Sequence, residues 1–545
     1  MEEGGIYCGS IYYFATLLQQ NYRIPVFQFL AGKEKDVVQH LTPVPAPENS
    51  NGEHKGNSQQ DPKKRITAKQ SKRFFGQFFV SAIIMACIVI LLTVVLDPLQ
   101  FYHKSFYPAI YSNEQRYQNP GLAKNYDYDT IIIGTSMTEN FLPAEVNEAL
   151  DGETLKLSIR GSTADEHNAI ASIALDTGNV KQVLWGLDYF SLKMGSKEEI
   201  DFPEYLYDDK WWNDYNYWFN YSIYEELFKE AVLRPLNGNA PRQLEYLYNW
   251  NREVTFGAEK VAKVYKTSHQ SEAYFGLNEE PIETVKAAFN DYVLSLVKEY
   301  PDVEFNFYYP PYSVLRQKVW QDTNNTRYHN QLEMKEWMFE QFAQLPNVNV
   351  YDFQEESEWT YNLDLYKDLS HHNQDVNTWI VEAIGREDAK YKVTQDNVKS
   401  FTTLMEEQLE NIVVTNEFKV INAKISMVEG TQTTPLKFTH LNVTEDNQDI
   451  FVPVKELTAT LGAEMVWDQE AKSMTFNRGD RNVVLHVGST TVETSDGSVE
   501  MAYAPELING TTMIPLGSVF ELFGFDANLE HPEEQLIRMT LTASK

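Results

Sequence analysis

Cysteine is nearly missing from this chain: Cys8 and Cys87 are the only two in 545 residues. A fold stapled by disulfides is thereby excluded, and nothing beyond Cys87 can pair. Basic residues are also short, 46 Lys and Arg against 78 Asp and Glu, for a formal net charge of −32. Such a surface is a poor partner for nucleic acid, which selects clustered Lys and Arg, and anionic lipid headgroups repel it too. Gly-rich phosphate loops and dinucleotide fingerprints are absent. Only Asp368, His371 and His372 crowd together as potential metal ligands, while His167 and His329 stand alone. Without a second cluster at ligand spacing, neither a metal nor another cofactor is expected.

One long apolar run is present, Phe74 to Leu96. Its 23 uncharged residues span about 34 Å at about 1.5 Å per residue, enough to cross a hydrocarbon core of about 30 Å. Lys63, Lys64, Arg65, Lys69, Lys72 and Arg73 stand just before it, which puts the N-terminal side in the cytoplasm and everything after Asp97 outside. A cleaved signal peptide would need a shorter core and a small-residue exit, whereas this run leaves through Asp97-Pro98. Ile84-Met-Ala-Cys87 loosely resembles a lipoprotein box, but apolar residues continue past Cys87. Residues 1–73 are expected to be cytoplasmic and largely disordered, since Pro43 to Lys72 has little to bury. No physical reason is found for the tyrosine-rich start. Phe101, Tyr102, Phe106 and Tyr107 suit the outer interface within a juxtamembrane connector, 97–125.

Beyond the connector, Asp129-Thr-Ile-Ile-Ile-Gly-Thr-Ser-Met-Thr-Glu-Asn140 reads as a buried strand that ends at Gly134, with Ser136 at its carboxyl end. Ligands of open α/β sheets bind at that end. A turn that merely closes a strand would look the same, so a partner is needed. It lies in Leu365-Tyr-Lys-Asp-Leu-Ser-His-His-Asn373, where Asp368 and His371 are three apart. One tight turn then lets the carboxylate hold Nδ1–H and leave Nε2 free to serve as a base. The order Ser, Asp, His matches α/β-hydrolases, but their G-x-S-x-G elbow is absent, since Gly134-Thr-Ser136-Met-Thr138 ends in threonine.

On these two blocks the chain, from about Tyr126 to Tyr391, resembles the SGNH (GDSL-like) hydrolase superfamily. The resemblance implies a nucleophile at Ser136, a general base at His371 and an orienting carboxylate at Asp368. It also implies oxyanion donors at the Ser136 and Gly161 N–H groups, the latter in Ser158-Ile-Arg-Gly-Ser162. At the third block the family has an asparagine whose amide is another donor, and here stands Gly186-Leu-Asp188. An ionised aspartate cannot donate, so Asp188 is held protonated, turned away, or employed elsewhere.

Alternating signals support an α/β fold with a three-layer parallel sheet, which the resemblance implies is flavodoxin-like. Strands are expected at Ile131–Ile133, Thr154–Ile159, Gln182–Trp185, Val303–Tyr309 and Val348–Phe353. Helices are expected from Thr163 to about Leu175, over Ile282–Tyr300 and over Met334–Phe342. An insertion, about 191–277, is too long for a simple crossover. Its Trp211, Trp212 and Tyr215 could stack on sugar as a substrate-binding lid, or could pack the insertion or seat it on the membrane. Pro310-Pro-Tyr-Ser313 either shapes a pocket or is a rigid turn.

A helical linker, 392–417, precedes a change of texture. From 418 to 545 two segments repeat with an offset of 62: Pro453 aligns with Pro515 and Gly462 with Gly524. Each reads as proline, short amphipathic helix, glycine cap, then strand. This region resembles the copper amine oxidase N-terminal domain, a stalk-like module of Gram-positive surface proteins. Its scattered His440, His486 and His531 give no copper-ligand spacing, so an envelope-binding or spacer role is expected. Together the resemblances imply an extracytoplasmic, single-pass membrane protein with a serine esterase or O-acyltransferase domain. Its substrate would be a cell-envelope polysaccharide or acylated glycopolymer, with a membrane-bound acyltransferase as a conceivable partner. The rival expectation is a non-catalytic envelope scaffold with a decayed SGNH fold.

Overall fold

The computed structural model describes residues 68–193, 202–444, 446, 448–508 and 510–544. The disorder expected before residue 68 falls outside the described residues. A helix covers Ala68–Leu96, starting ahead of the apolar run and taking in Lys69, Lys72 and Arg73. Its Ser71–Leu96 portion, 26 residues, is long and apolar enough to cross a membrane, which is compatible with a single-pass anchor. The helix stops where Asp97 turns to a φ of 39°. The Asp97 carboxylate then accepts from the N–H groups of Phe101, Tyr102 and His103 at 3.0, 2.7 and 2.9 Å, folding the chain back on itself.

Five strands form one parallel sheet: β1 (Thr130–Ile133), β2 (Thr154–Lys156), β3 (Gln182–Gly186), β4 (Glu304–Tyr309) and β5 (Val348–Asp352). They lie in the order β2-β1-β3-β4-β5, every neighbouring pair parallel. Because side chains alternate along a strand, each face of the sheet needs its own cover. Ile131, Ile133, Val183, Trp185, Phe305 and Phe307 join one core with residues of the helices Ala164–Leu175 and Asn325–Phe342. Ile132, Leu184 and Tyr308 join another, with Val146, Val376, Ile380 and Ile384 from Pro143–Leu150 and Gln374–Gly385. The three-layer arrangement follows from strands that place apolar side chains on both faces of the sheet.

Several boundaries differ from those read in the sequence. β2 is short as a ladder, yet the extended chain keeps pairing, with Leu157 N–H on Ile132 O and Ile159 N–H on Gly134 O, both 2.9 Å. The helix expected at Met334–Phe342 starts at Asn325, because the Asn324 side chain accepts from Arg327 N–H at 3.2 Å. Within the connector, Gln115–Asn125 is a helix of the sheet domain itself. Arg116 Nε bonds Glu166 at 2.6 Å, and Asn119 donates to Ser158 O at 3.1 Å. The described residues of the insertion form short helical turns and one long helix, Ala258–Gly276, which packs on Val314–Thr323.

The C-terminal region is β-rich. Strands Ile450–Pro453 and Thr511–Pro515 pair antiparallel with Val452 opposite Ile514, the same position in the two repeats. Each is followed by a short helix, Val454–Leu461 and Leu516–Leu522, then a strand. The two repeats thus meet about a local two-fold centre and share one core. Met405, Leu409, Ile412 and Val420 attach this region to the sheet domain through Leu315, Val319, Trp320 and Tyr361.

Candidate active site

The turn after β1 depends on Gly134. A Cβ there would lie 2.5 Å from Thr138 Cγ2 at a φ of +151°, so a larger residue would push the turn apart. Thr138 Oγ1 donates to Thr135 O at 2.9 Å and lies 2.6 Å from Ser158 Oγ. Asn377, from the helix after the Asp/His loop, donates to Met137 O at 3.1 Å. Ser136 is therefore presented, half-buried, from a braced turn at the carboxyl end of β1.

The loop between Leu365 and Asn373 closes on itself. Lys367 N–H bonds His371 O at 3.0 Å and Asn373 N–H bonds Leu365 O at 2.8 Å. Inside it, Asp368 Oδ1 accepts from the N–H groups of Ser370 and His371 at 2.8 and 2.9 Å. The spacing of three is thus realised by an Asx turn rather than a helix. His371 Nδ1 lies 2.9 Å from Asp368 Oδ2, and its Nε2 lies 2.8 Å from Ser136 Oγ. A carboxylate only accepts, so Nδ1 carries the proton and Nε2 is the acceptor for the Ser136 hydroxyl. Burial alone would raise the Asp368 carboxyl. The His371 ring and the two backbone N–H groups outweigh burial and hold it well below the usual carboxylate range.

Gly161 sits in the turn beside this one at a φ of +61°. The Ile159–Gly134 backbone bond zips the two turns together. Among the described residues, neither the Ser136 nor the Gly161 N–H meets a protein acceptor. Asp188 is employed elsewhere. It is buried, its Oδ2 accepts from Thr135 Oγ1 at 2.7 Å and its Oδ1 from Ser191 N–H at 3.2 Å, capping the turn Tyr189–Leu192. Burial raises its carboxyl, while these bonds work against that rise.

Trp211, Trp212 and Tyr215 are 72, 62 and 55 % exposed. Their neighbour Tyr217 donates to Asp97 at 2.7 Å, and no contact among the described residues joins this stretch to Ser136, Asp368 or His371. The wall beside the imidazole is Trp250, from further along the insertion, edge-to-face with His371 at 5.8 Å. Lys367 Nζ lies 3.6 Å from the centre of the Trp250 ring. Asn140 accepts from Trp250 N–H at 3.2 Å and donates to His372 O at 3.4 Å, tying three loops together. Trp250, Asn140 and Asn377 escaped sequence reasoning. Only Asn140, which closes the strand-turn motif, carried any signal. Ser313 resolves as a brace: its hydroxyl donates to Leu369 O at 2.7 Å, so the proline turn steadies the Asp/His loop.

Two buried histidines flank the site without entering it. Burial lowers His372 to about 4 and His167 to about 3; His167 Nε2 lies 2.6 Å from Ser162 Oγ. Lys156, pulled down by burial to about 7, donates to the carbonyls of Glu139 and Phe141 at 2.6 and 2.8 Å, bracing the chain after Ser136. Among the described residues no three His, Cys, Asp or Glu side chains gather as a metal site.

By class, this is a mixed α/β protein with a parallel sheet, a C-terminal β-rich region and a helix fit for a membrane. Residues 427–537 match the family model of the copper amine oxidase N-terminal domain and lie within the expected 418–545. No curated protein matches the chain. Solved structures similar to it include one from Streptococcus pneumonia described as a candidate platelet activating factor. That likeness covers 51 % of this chain and 91 % of the other, at 11 % identity and a TM-score of 0.27.

Proposed function

We propose that the chain is a serine acyl esterase or O-acyltransferase of SGNH type, anchored by Ala68–Leu96 with its N-terminus in the cytoplasm. The observation that carries this reading is the 2.8 Å contact between Ser136 Oγ and His371 Nε2, with Nδ1 held by Asp368. Ser136 attacks an ester carbonyl as its proton passes to Nε2. The tetrahedral oxyanion is received by the Ser136 and Gly161 N–H groups. Collapse breaks the bond to the leaving alkoxide, which takes the proton from His371 and leaves an acyl-serine. Water then releases the acid, or a sugar hydroxyl takes the acyl group; in either case His371 removes the incoming proton. Asp188 contributes no donor. Membrane anchorage favours an acylated envelope glycopolymer as substrate, and the C-terminal region serves as spacer or envelope-binding module.

Labelling the full-length protein with a fluorophosphonate tests this. Wild type should label and Ser136→Ala should not. A folded wild-type chain that resists the probe would instead support a non-catalytic envelope scaffold. Supplying an activated acyl ester with and without a glycan acceptor separates hydrolysis from transfer by the product formed.

A further inference from the structure

The aromatic insertion lies beside the foot of the anchor helix, away from the triad. Thr93, one turn before the helix ends at Leu96, is fully buried, and its hydroxyl contacts both Trp218 O, at 3.3 Å, and the Tyr224 hydroxyl. A residue at that position sits about 4.5 Å short of the helix end, at the depth where hydrocarbon gives way to headgroups. Whatever packs on it shares that depth. Asp97 adds a fixed joint, since Tyr217 donates to it at 2.7 Å and Leu99 N–H bonds the Tyr217 hydroxyl at 3.1 Å. The segment is thus held against the helix rather than tethered loosely.

Its outer face is apolar and open. Trp211, Trp212, Tyr215, Phe219, Tyr221 and Phe228 are each more than half exposed. The end of the helix they pack beside is apolar and open as well, at Leu91, Leu92 and Val95. Rings with one wet and one apolar end are the side chains that settle at a bilayer surface. The charged groups nearby pair among themselves, Lys229 with Glu225 at 2.9 Å and Arg242 with Glu230 at 3.1 Å. Between residues 211 and 236 four acidic side chains face two basic ones, so attraction to anionic lipid is not the driving term. We propose that the helical segment 211–236 beds in the lipid headgroup layer beside the anchor, held by its aromatic face, and fixes the attitude of the sheet domain over the membrane.

The proposal rests on the anchor reading, and tryptophan fluorescence keeps the two apart. None of the 10 tryptophans lies in the anchor helix. Full-length protein in phosphatidylcholine vesicles brominated high on the acyl chain should lose part of its emission, and raised salt should not restore it. In the W211F/W212F variant a measurable share of that quenching should vanish, the rest being that of Trp218 beside Thr93, while labelling of Ser136 by the fluorophosphonate persists. That variant keeps an aromatic face, so lost quenching reports position rather than misfolding. Protein that floats with the vesicles but is not quenched, or whose quenching W211F/W212F leaves unchanged, overturns the seating. Protein that fails to float removes the anchor reading and the seating with it.

Discussion

At the rim of the parallel sheet, a hydroxyl and an imidazole 235 residues apart in sequence meet at 2.8 Å. In the C-terminal region, His440, His486 and His531 gather into no cluster of three His, Cys, Asp or Glu side chains among the described residues. Both regions hold the ingredients of chemistry. The difference is that parallel strands deliver their strand-to-helix loops to one edge, whereas antiparallel strands with short turns spread their polar groups over a surface. Convergence, more than composition, separates a candidate site from a surface of scattered polar groups.

The strongest way to break that contrast is at Ser136. Ser136→Ala or His371→Ala should each lower ester turnover by about 10⁴-fold or more, since nucleophile and base act as a unit. A variant retaining a tenth of the activity would dissolve the distinction between the two regions. Next, Asp368→Asn should cost about 10³–10⁴-fold with binding of substrate little changed, because the amide presents the wrong tautomer to Nδ1. Asp368 is held below its ordinary range. The stability it adds is therefore whole above about pH 4 and is lost as the pH falls through its folded value. Thermal unfolding of wild type and Asp368→Asn should consequently converge in strong acid.

His167 and His372 give the third effect. Each is held neutral, at about 3 and about 4, while in the unfolded chain each titrates near 6.5. Between about pH 6.5 and 4 the unfolded state binds the extra protons, so stability falls as the pH drops, by about 1.4 kcal/mol per pH unit for each histidine. His167→Gln should halve that slope in thermal unfolding measured from pH 7 to 4. Trp250→Ala, which removes the wall beside His371, should lower turnover by about tenfold through misplacement of the ring. At the small end, His440→Ala in the C-terminal region, at an exposed position, should leave turnover unchanged and shift stability by less than about 0.5 kcal/mol, as exposed sites do.

Much of the sheet was legible because its strands are rich in β-branched and aromatic residues, as in Thr130–Ile133 and Glu304–Tyr309. Ser136, Asp368 and His371 could be read because strand end and local spacing are both one-dimensional signals. Trp250 and Asn140 could not, since their partners are contacts across loops far apart in the chain. Asp188 showed only that a donor was missing. That its oxygens are taken by Thr135 and Ser191 is a fact of packing. The aromatic run at Trp211 and Trp212 was visible as composition, but whether it covers the site or lies beside the apolar helix depends on where Tyr217 lands, and it lands on Asp97.

The sequence by itself determined the long apolar helix, the alternation that makes a parallel sheet, and the repeat that pairs Val452 with Ile514. Those properties are set by local pattern, where burial and backbone preference agree along a short stretch. Tertiary structure alone decided that one imidazole reaches one hydroxyl, that Asp188 faces inward, and that Trp218 packs beside the foot of the apolar helix. Each of these turns on a few ångströms between distant segments, and hydrogen bonding is too short-ranged for a linear pattern to specify it.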